Sequence, residues 1–328
     1  MNNNVGVFST YTLLPSHFET DLELIQRELN QNSKVYIYHC QKKLQRCSMI
    51  VDFAKRRNTS YIEIAEKSCN SCIKKQNYGF NLLSGSIIKS PLIDDEFEQQ
   101  NYDIDENEIE SYKAIKELKI DKNLDIGWGI LSALISMYRQ PKINLSLFKE
   151  DIKQMYNDAA KIYFSALKYI DLHGLNKIYV FNGRLPITKA VMAAATKKNI
   201  DCYVHERGST FKKYSLFKNH KIHDIEKMTF FYKSMWEEES NTSRKIEVGK
   251  LFFKDRRNNI IGSWKSFLDK QKQDLLPSNF NRENHNLVFY CSSEDEFEGI
   301  SAEWNNPLNS NQLGILLKIA NWIKGKNI

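Results

Sequence analysis

The chain opens with short apolar runs separated by stretches whose apolar residues recur at helical spacing. Val5–Ser9 and Val35–His39 each have the length of a buried strand. Between them Phe18, Leu22, Leu24, Ile25 and Leu29 recur at helical spacing, predicting a helix over residues 16–31. Residues 48–57 read as a short helix. Tyr61–Ile64, a brief alternation of apolar and polar positions, reads as a further strand. Residues 124–138 are largely apolar, as in a buried helix, and residues 147–172 form a long amphipathic pattern that His173-Gly174 brings to a stop.

The clearest unit follows. Residues 177–181 are a strand, Asn182-Gly183-Arg184 a tight turn, and residues 186–198 a helix that opens on Pro186. Residues 200–204 form the next strand, with His205-Glu206-Arg207-Gly208 as its terminal loop. A β-α-β unit of this kind predicts parallel strands. Residues 224–270 are mostly helical, with Trp236, Phe252, Phe253, Trp264 and Phe267 expected in the core. After a polar connector at 278–286, Leu287–Cys291 reads as a strand, residues 292–297 as a loop and 312–323 as the last helix. The pattern predicts the α/β class, with a Rossmann-like parallel sheet and flanking helices over residues 1–280. That domain carries a helical insertion at about 111–172, and residues 286–328 begin an incomplete second α/β domain.

Composition narrows the functional classes. A hydrophobic fraction of 41% over 328 residues suits a folded core. No apolar run approaches the roughly 20 residues of a bilayer span, and Met1–Val5 lacks the features of a signal peptide. A cytoplasmic protein is expected. The net charge of +7 is unevenly spread: residues 94–110 hold nine acids and no bases, leaving +16 on the remainder. That acidic segment has no core periodicity and is expected to be a solvated loop. Abundant Asn, Ile and Lys make the overall basicity weak evidence for nucleic acid.

Four of the six cysteines, Cys40, Cys47, Cys69 and Cys72, are spaced C-x6-C-x21-C-x2-C. Cys69 and Cys72 have the spacing that lets two thiolates reach one tetrahedral ion, which makes a structural zinc or iron–sulfur site a candidate. The plainer reading, buried cysteines with a chance C-x2-C, is preferred at this level. Thioredoxin-like redox chemistry is disfavoured because no helix is seen to follow the pair.

Two polar clusters, Asn182-Gly183-Arg184 and His205–Gly208, fall at the carboxyl ends of parallel strands, where open α/β sheets bind ligands. The strand ending in FNGR, the strand ending in HERG, the downstream YSLF with its following HD, and SSEDEF together resemble capsule and exopolysaccharide biosynthesis proteins of the glycosyltransferase-like kind. The resemblance covers residues 177–304; the cysteine region fits it more loosely. It implies a two-domain GT-B-like fold, with an N-terminal domain that binds an acceptor glycan and a sugar-nucleotide domain opening at Leu287. The partners it implies are a nucleotide-sugar donor, a glycan acceptor and membrane-associated assembly proteins, at the inner face of the membrane.

The residue types suit a polyhydroxylated or anionic ligand. Arg184 and Arg207 can grip phosphate or carboxylate, while Asn182, His205 and Glu206 offer donors and acceptors to hydroxyls. Gly183 and Gly208 belong to the same motifs. An inverting transfer needs a general base; Glu206 and His205 are the leading candidates, followed by His223 and Asp224. Ser292, Ser293, Glu294 and Glu296 lie after the Leu287 strand, where a helix start can be capped or can accommodate phosphate. No DxD motif stands at a strand end, so a metal-independent transfer with no required cofactor is expected. Walker, GxGxxG and GxSxG motifs are absent from the sequence.

Two other functions compete. One is a non-catalytic subunit holding glycan or a partner in the same cleft. The other, weaker, is a nucleic-acid binder built on a four-cysteine metal site. Only 43 residues (286–328) follow the connector, too few for a sugar-nucleotide domain, so either a longer chain or a C-terminal segment folded back on the first domain is expected.

Overall fold

The computed structural model describes residues 3–14, 16–122, 124–208, 212–258, 260, 272, 275–278, 280–283, 285–304 and 311–324. In chain order they form β1 (Asn4–Ser9), α1 (His17–Asn30), β2 (Lys34–His39), α2 (Ser48–Arg56), α3 (Tyr61–Asn81), β3 (Ile87–Pro91), α4 (Asp95–Glu98), α5 (Tyr112–Glu117), α6 (Ile126–Tyr138) and α7 (Lys149–His173). There follow β4 (Lys177–Phe181), α8 (Pro186–Lys197), β5 (Asp201–Arg207), β6 (Tyr214–Lys218), α9 (Ile225–Glu238), α10 (Thr242–Arg257) and α11 (Gln312–Ile323).

The six strands make one sheet in the order β3-β2-β1-β4-β5-β6. The first five are parallel, and β6 returns antiparallel to β5. This is an α/β fold with flanking helices, compatible with a Rossmann-like architecture. Alternation along the strands explains why both faces are covered. Val5 and Val7 of β1, Val35 and Ile37 of β2, and Tyr179 of β4 join Phe18, Leu24, Ile25 and Phe80 beneath α1 and α3. Phe8, Tyr36, Tyr38, Ile178 and Val180 face the other way, into a larger core with α6, α7 and α8. Tyr38 stacks on Phe8 and Tyr169 there, at centroid distances of 4.5 and 4.4 Å. The chain runs outward from β1 to β3, then crosses back through α7 to β4 on the other side of β1. The switch point of the sheet therefore lies between β1 and β4.

Several expectations are corrected. Tyr61–Ile64 is not a strand but the first turn of α3. Ser60 and Glu63 form a reciprocal capping box there, and the helix carries Cys69 and Cys72 in its middle. The acidic segment is not simply a solvated loop. It folds into α4 and a 3-10 turn at Glu106–Ile109, buries Ile104 and Ile109, and pairs Asp94 with Lys168 and Glu106 with Lys149 of α7. Leu287–Cys291 belongs to no ladder, and Tyr290 is 89% exposed. Trp236, Phe252 and Phe253 are exposed rather than core residues, because α9 buries only Met228 and α10 buries nothing. Trp264 and Phe267 lie outside the described residues. Among the described residues no helix is long and apolar enough to cross a membrane.

Candidate functional site

The carboxyl ends of β1, β4 and β5 meet at the switch point, and their polar residues are held by a network reaching into α1. Ser9 Oγ donates to Asp21 Oδ2 at 2.8 Å, and His205 Nε2 donates to Asp21 Oδ1 at the same distance. All three side chains are buried. The sheet's alternation sets this up, because His205 shares a face of β5 with Tyr203, which packs beneath α1. His205 is thus spent on joining α1 to the sheet.

Glu206 is held from three sides. Asn182 Nδ2 donates to Oε2 at 2.6 Å, the Arg207 backbone N–H donates to Oε1 at 3.0 Å, and His17 Nε2 lies 3.7 Å from Oε1. Burial, with His205 and Arg207 nearby, pushes the His17 pKa down to about 3. His17 is therefore neutral at pH 7, and its approach to Glu206 is a polar contact rather than an ion pair. Its ring packs on Phe181 at 3.9 Å.

The FNGR turn aims its arginine elsewhere. Asn182 and Gly183 both take positive φ, 60° and 70°, the left-handed pair for which Asn-Gly is suited. Asn182 Oδ1 accepts from the Arg184 N–H at 3.2 Å, fixing the turn. Arg184 then reaches α6, where Nη2 donates to Ser136 Oγ at 3.2 Å. Its Nε has no hydrogen-bond partner among the described residues, although it is buried. Burial lowers the Arg184 pKa from its ordinary value, with Glu206 and Glu296 countering.

Arg184 forms one wall of a cleft of about 350 Å³ shared with Ser136, Arg139, His223, Glu296 and Trp304. Trp304 stacks on Phe297 at 5.2 Å and donates its indole N–H to the His223 carbonyl at 2.8 Å. Burial, with Arg184 and Lys221 close by, pushes His223 down to about 3, so it too is neutral. The cleft thus combines two guanidinium groups, one carboxylate, a neutral imidazole and aromatic surface, a mixture that can grip an anion and hydrogen-bond hydroxyls together.

The residues singled out from sequence therefore divide. Arg184, His223 and Glu296 line the cleft; Asn182, which accepts from the Arg184 N–H and donates to Glu206, lies outside the lining, as does Glu206, whose charge acts on Arg184. Asp224 instead caps α9, accepting from the Lys227 N–H at 3.0 Å. Gly208 donates its N–H to Lys213 O at 2.8 Å where the β5–β6 connection closes, and a Cβ there would meet that carbonyl. Glu294 accepts from the Gln312 N–H, and the Ser292 N–H donates to Gln312 Oε1 at 2.7 Å, so both tie α11 to the preceding segment. Ser293 stands before a three-residue turn without capping it through its side chain. The sequence reading missed His17, Asp21, Arg139, Ser136 and Trp304. Only Trp304 carried a signal, as the end of the segment containing SSEDEF.

The four clustered cysteines converge at a different place. Cys40, Cys47, Cys69 and Cys72 line one small apolar cavity beside Tyr11 and Lys42. Burial pushes the Cys40 and Cys47 thiols up to about 12 and raises Cys69 and Cys72 as well. Among the described residues every cysteine is free, and no three potential ligands already stand in metal-binding geometry.

The fold and its strand-end cleft define an α/β protein with a six-stranded, mostly parallel sheet. Comparison with protein-family models, curated proteins and solved structures finds no match to this chain.

Proposed function

We propose that this protein serves capsule or surface-polysaccharide biosynthesis as a glycosyltransferase-like enzyme, moving a sugar from a nucleotide-sugar donor to a glycan acceptor. The carrying observation is the cleft at the Arg184 side of the switch point, with its two arginines, Glu296 and aromatic wall. In this reading Arg184, held by Ser136 and backed by Glu206, offsets negative charge on the diphosphate leaving group, with Arg139 beside it. Glu296 accepts the proton of an acceptor hydroxyl as that oxygen bonds to the anomeric carbon. The bond from that carbon to the phosphate oxygen breaks, and the nucleotide diphosphate leaves with the electron pair. Neutral His223 orients a hydroxyl, and Trp304 offers a sugar its flat apolar face. No metal takes part, the enzyme works in the cytoplasm at the inner face of the membrane, and the domain arrangement is GT-B-like.

A non-catalytic glycan-holding role is the second reading. It is favoured by the way His205 and Glu206, the first candidates for a base, are both engaged in holding the end of the sheet. A transfer and donor-hydrolysis screen separates the two. The transferase reading expects Glu296→Gln to lower turnover about 100-fold with binding retained. A chain that binds glycan through Arg184 but shows no turnover supports the holding role.

A further inference from the structure

Cys40 and Cys47 flank the loop between β2 and α2, while Cys69 and Cys72 lie one helical turn apart on α3. Nothing in the cleft or its chemistry uses them. The fold nevertheless brings all four to the wall of one cavity of about 40 Å³. We propose that this cavity is a structural tetrathiolate zinc site that pins the β2–α2 loop to α3.

Three observations beyond proximity carry the proposal. The first is what surrounds the sulfurs. Cys47 sits at the N-cap of α2, where the Ile50 and Val51 N–H groups donate to its backbone carbonyl at 3.0 and 3.2 Å and its thiol takes no part in capping, which leaves the sulfur available to an ion. The rest of the lining is largely apolar, with Leu13, Leu44, Met49, Ile50 and Ile73 around the four sulfurs. Such a shell keeps solvent from a metal's ligands and lowers the polarity around them, the usual office of groups just outside the ligands.

The second observation is charge. Zinc with four thiolates carries −2; Lys42 lines the cavity near Cys69 and offsets part of that charge, while Lys75, near Cys72, is already paired with Glu19 at 2.7 Å. The third is size. A water needs at least about 10–15 Å³ by the same measure, so this cavity has room for an ion among the four sulfurs. Closing on the ion requires the four sulfurs to draw inward until each is about 2.3 Å from the metal, since they do not yet stand at ligand distance. His39, the other ligand candidate nearby, is turned away and holds Gln76 Oε1 at 3.1 Å.

The test is metal analysis of the full chain, purified without chelator and again after removal and restoration of zinc. About one tightly bound zinc per chain is expected. Replacement by Co²⁺ should give the intense visible bands of tetrahedral cobalt thiolate. Cys72→Ser should abolish both signals, whereas Cys202→Ser and Cys291→Ser, at cysteines outside the cavity, should change neither. The wild-type cobalt spectrum reads the site directly, so the conclusion survives a Cys72→Ser chain that fails to fold. Zinc far below one per chain after restoration, an octahedral cobalt spectrum, or iron with sulfide in place of zinc would overturn the proposal.

Discussion

At the residue scale the structure hinges on how a few polar side chains are satisfied inside the sheet. Asp21 accepts from both Ser9 and His205, two residues separated from each other by most of the chain. Removing it leaves two buried donors without a partner, which costs far more than the net value of either bond. Asp21→Ala is expected to destabilise the fold by about 3 kcal/mol, read by urea unfolding. This contact illustrates what a single sequence hides. The strand ending in His205 is legible from its apolar run, but the partner that occupies the imidazole lies 184 residues away on α1. No local pattern marks Asp21 or His17 as its neighbours.

Two buried histidines also set the acid response. His17 and His223 have pKa values near 3 in the folded chain and 6.5 when exposed to water. Between those values the unfolded chain binds protons that the folded chain refuses, so stability is lost as pH falls below about 6.5. Asp158 works the other way. Burial raises it to about 6, so the folded chain gains a proton there first and recovers part of the loss. From pH 7 to 5 the histidines account for a loss of about 4 kcal/mol and Asp158 for a gain of about 1 kcal/mol. Burial also raises Asp151, adding to the gain, and lowers His39 and His173, adding to the loss. A net loss on the order of 2 kcal/mol is expected from urea unfolding at the two pH values. Stability that is flat or rises toward pH 5 would show that these imidazoles are not buried as described.

At the scale of elements, the β4-α8-β5 unit was legible because three signals agree there: apolar strands, Pro186 at a helix start and Asn-Gly at positive φ. Tyr61–Ile64 shows the converse. Four residues of alternating polarity look like a strand, but a Ser-x-x-Glu capping box at 60–63 overrides them and starts a 21-residue helix. The cap was in the sequence, and the short alternation masked it. Ser60→Ala should cost about 1 kcal/mol, measurable as a small drop in Tm, with the rest of the fold intact. The acidic segment was misread for a related reason. Its charges dominate the composition, while Ile104 and Ile109 do the packing and the lysines of α7 supply partners that only the folded chain brings close.

At the scale of the whole molecule, the crossing from β3 through α7 to β4 places the switch point beside β1, and the site follows from that topology. The sequence predicted that polar clusters at strand ends would form a site. It did not predict that the cluster would split, with His205 and Glu206 turned to holding α1 and the sheet, and Arg184 turned to a cleft completed by α6 and residues 296–304. Arg139 and Ser136 come from a helix with no polar motif to announce them.

The most direct test of the central claim is hydrogen exchange on the wild-type chain and on Arg184→Ala, with a panel of nucleotide-sugars and acidic and neutral oligosaccharides. The cleft reading predicts that a member of the panel slows exchange at residues 136–139, 182–184 and 296–304, and that Arg184→Ala abolishes this protection. Failure of every member to protect these segments, or protection confined to other parts of the molecule, would contradict it.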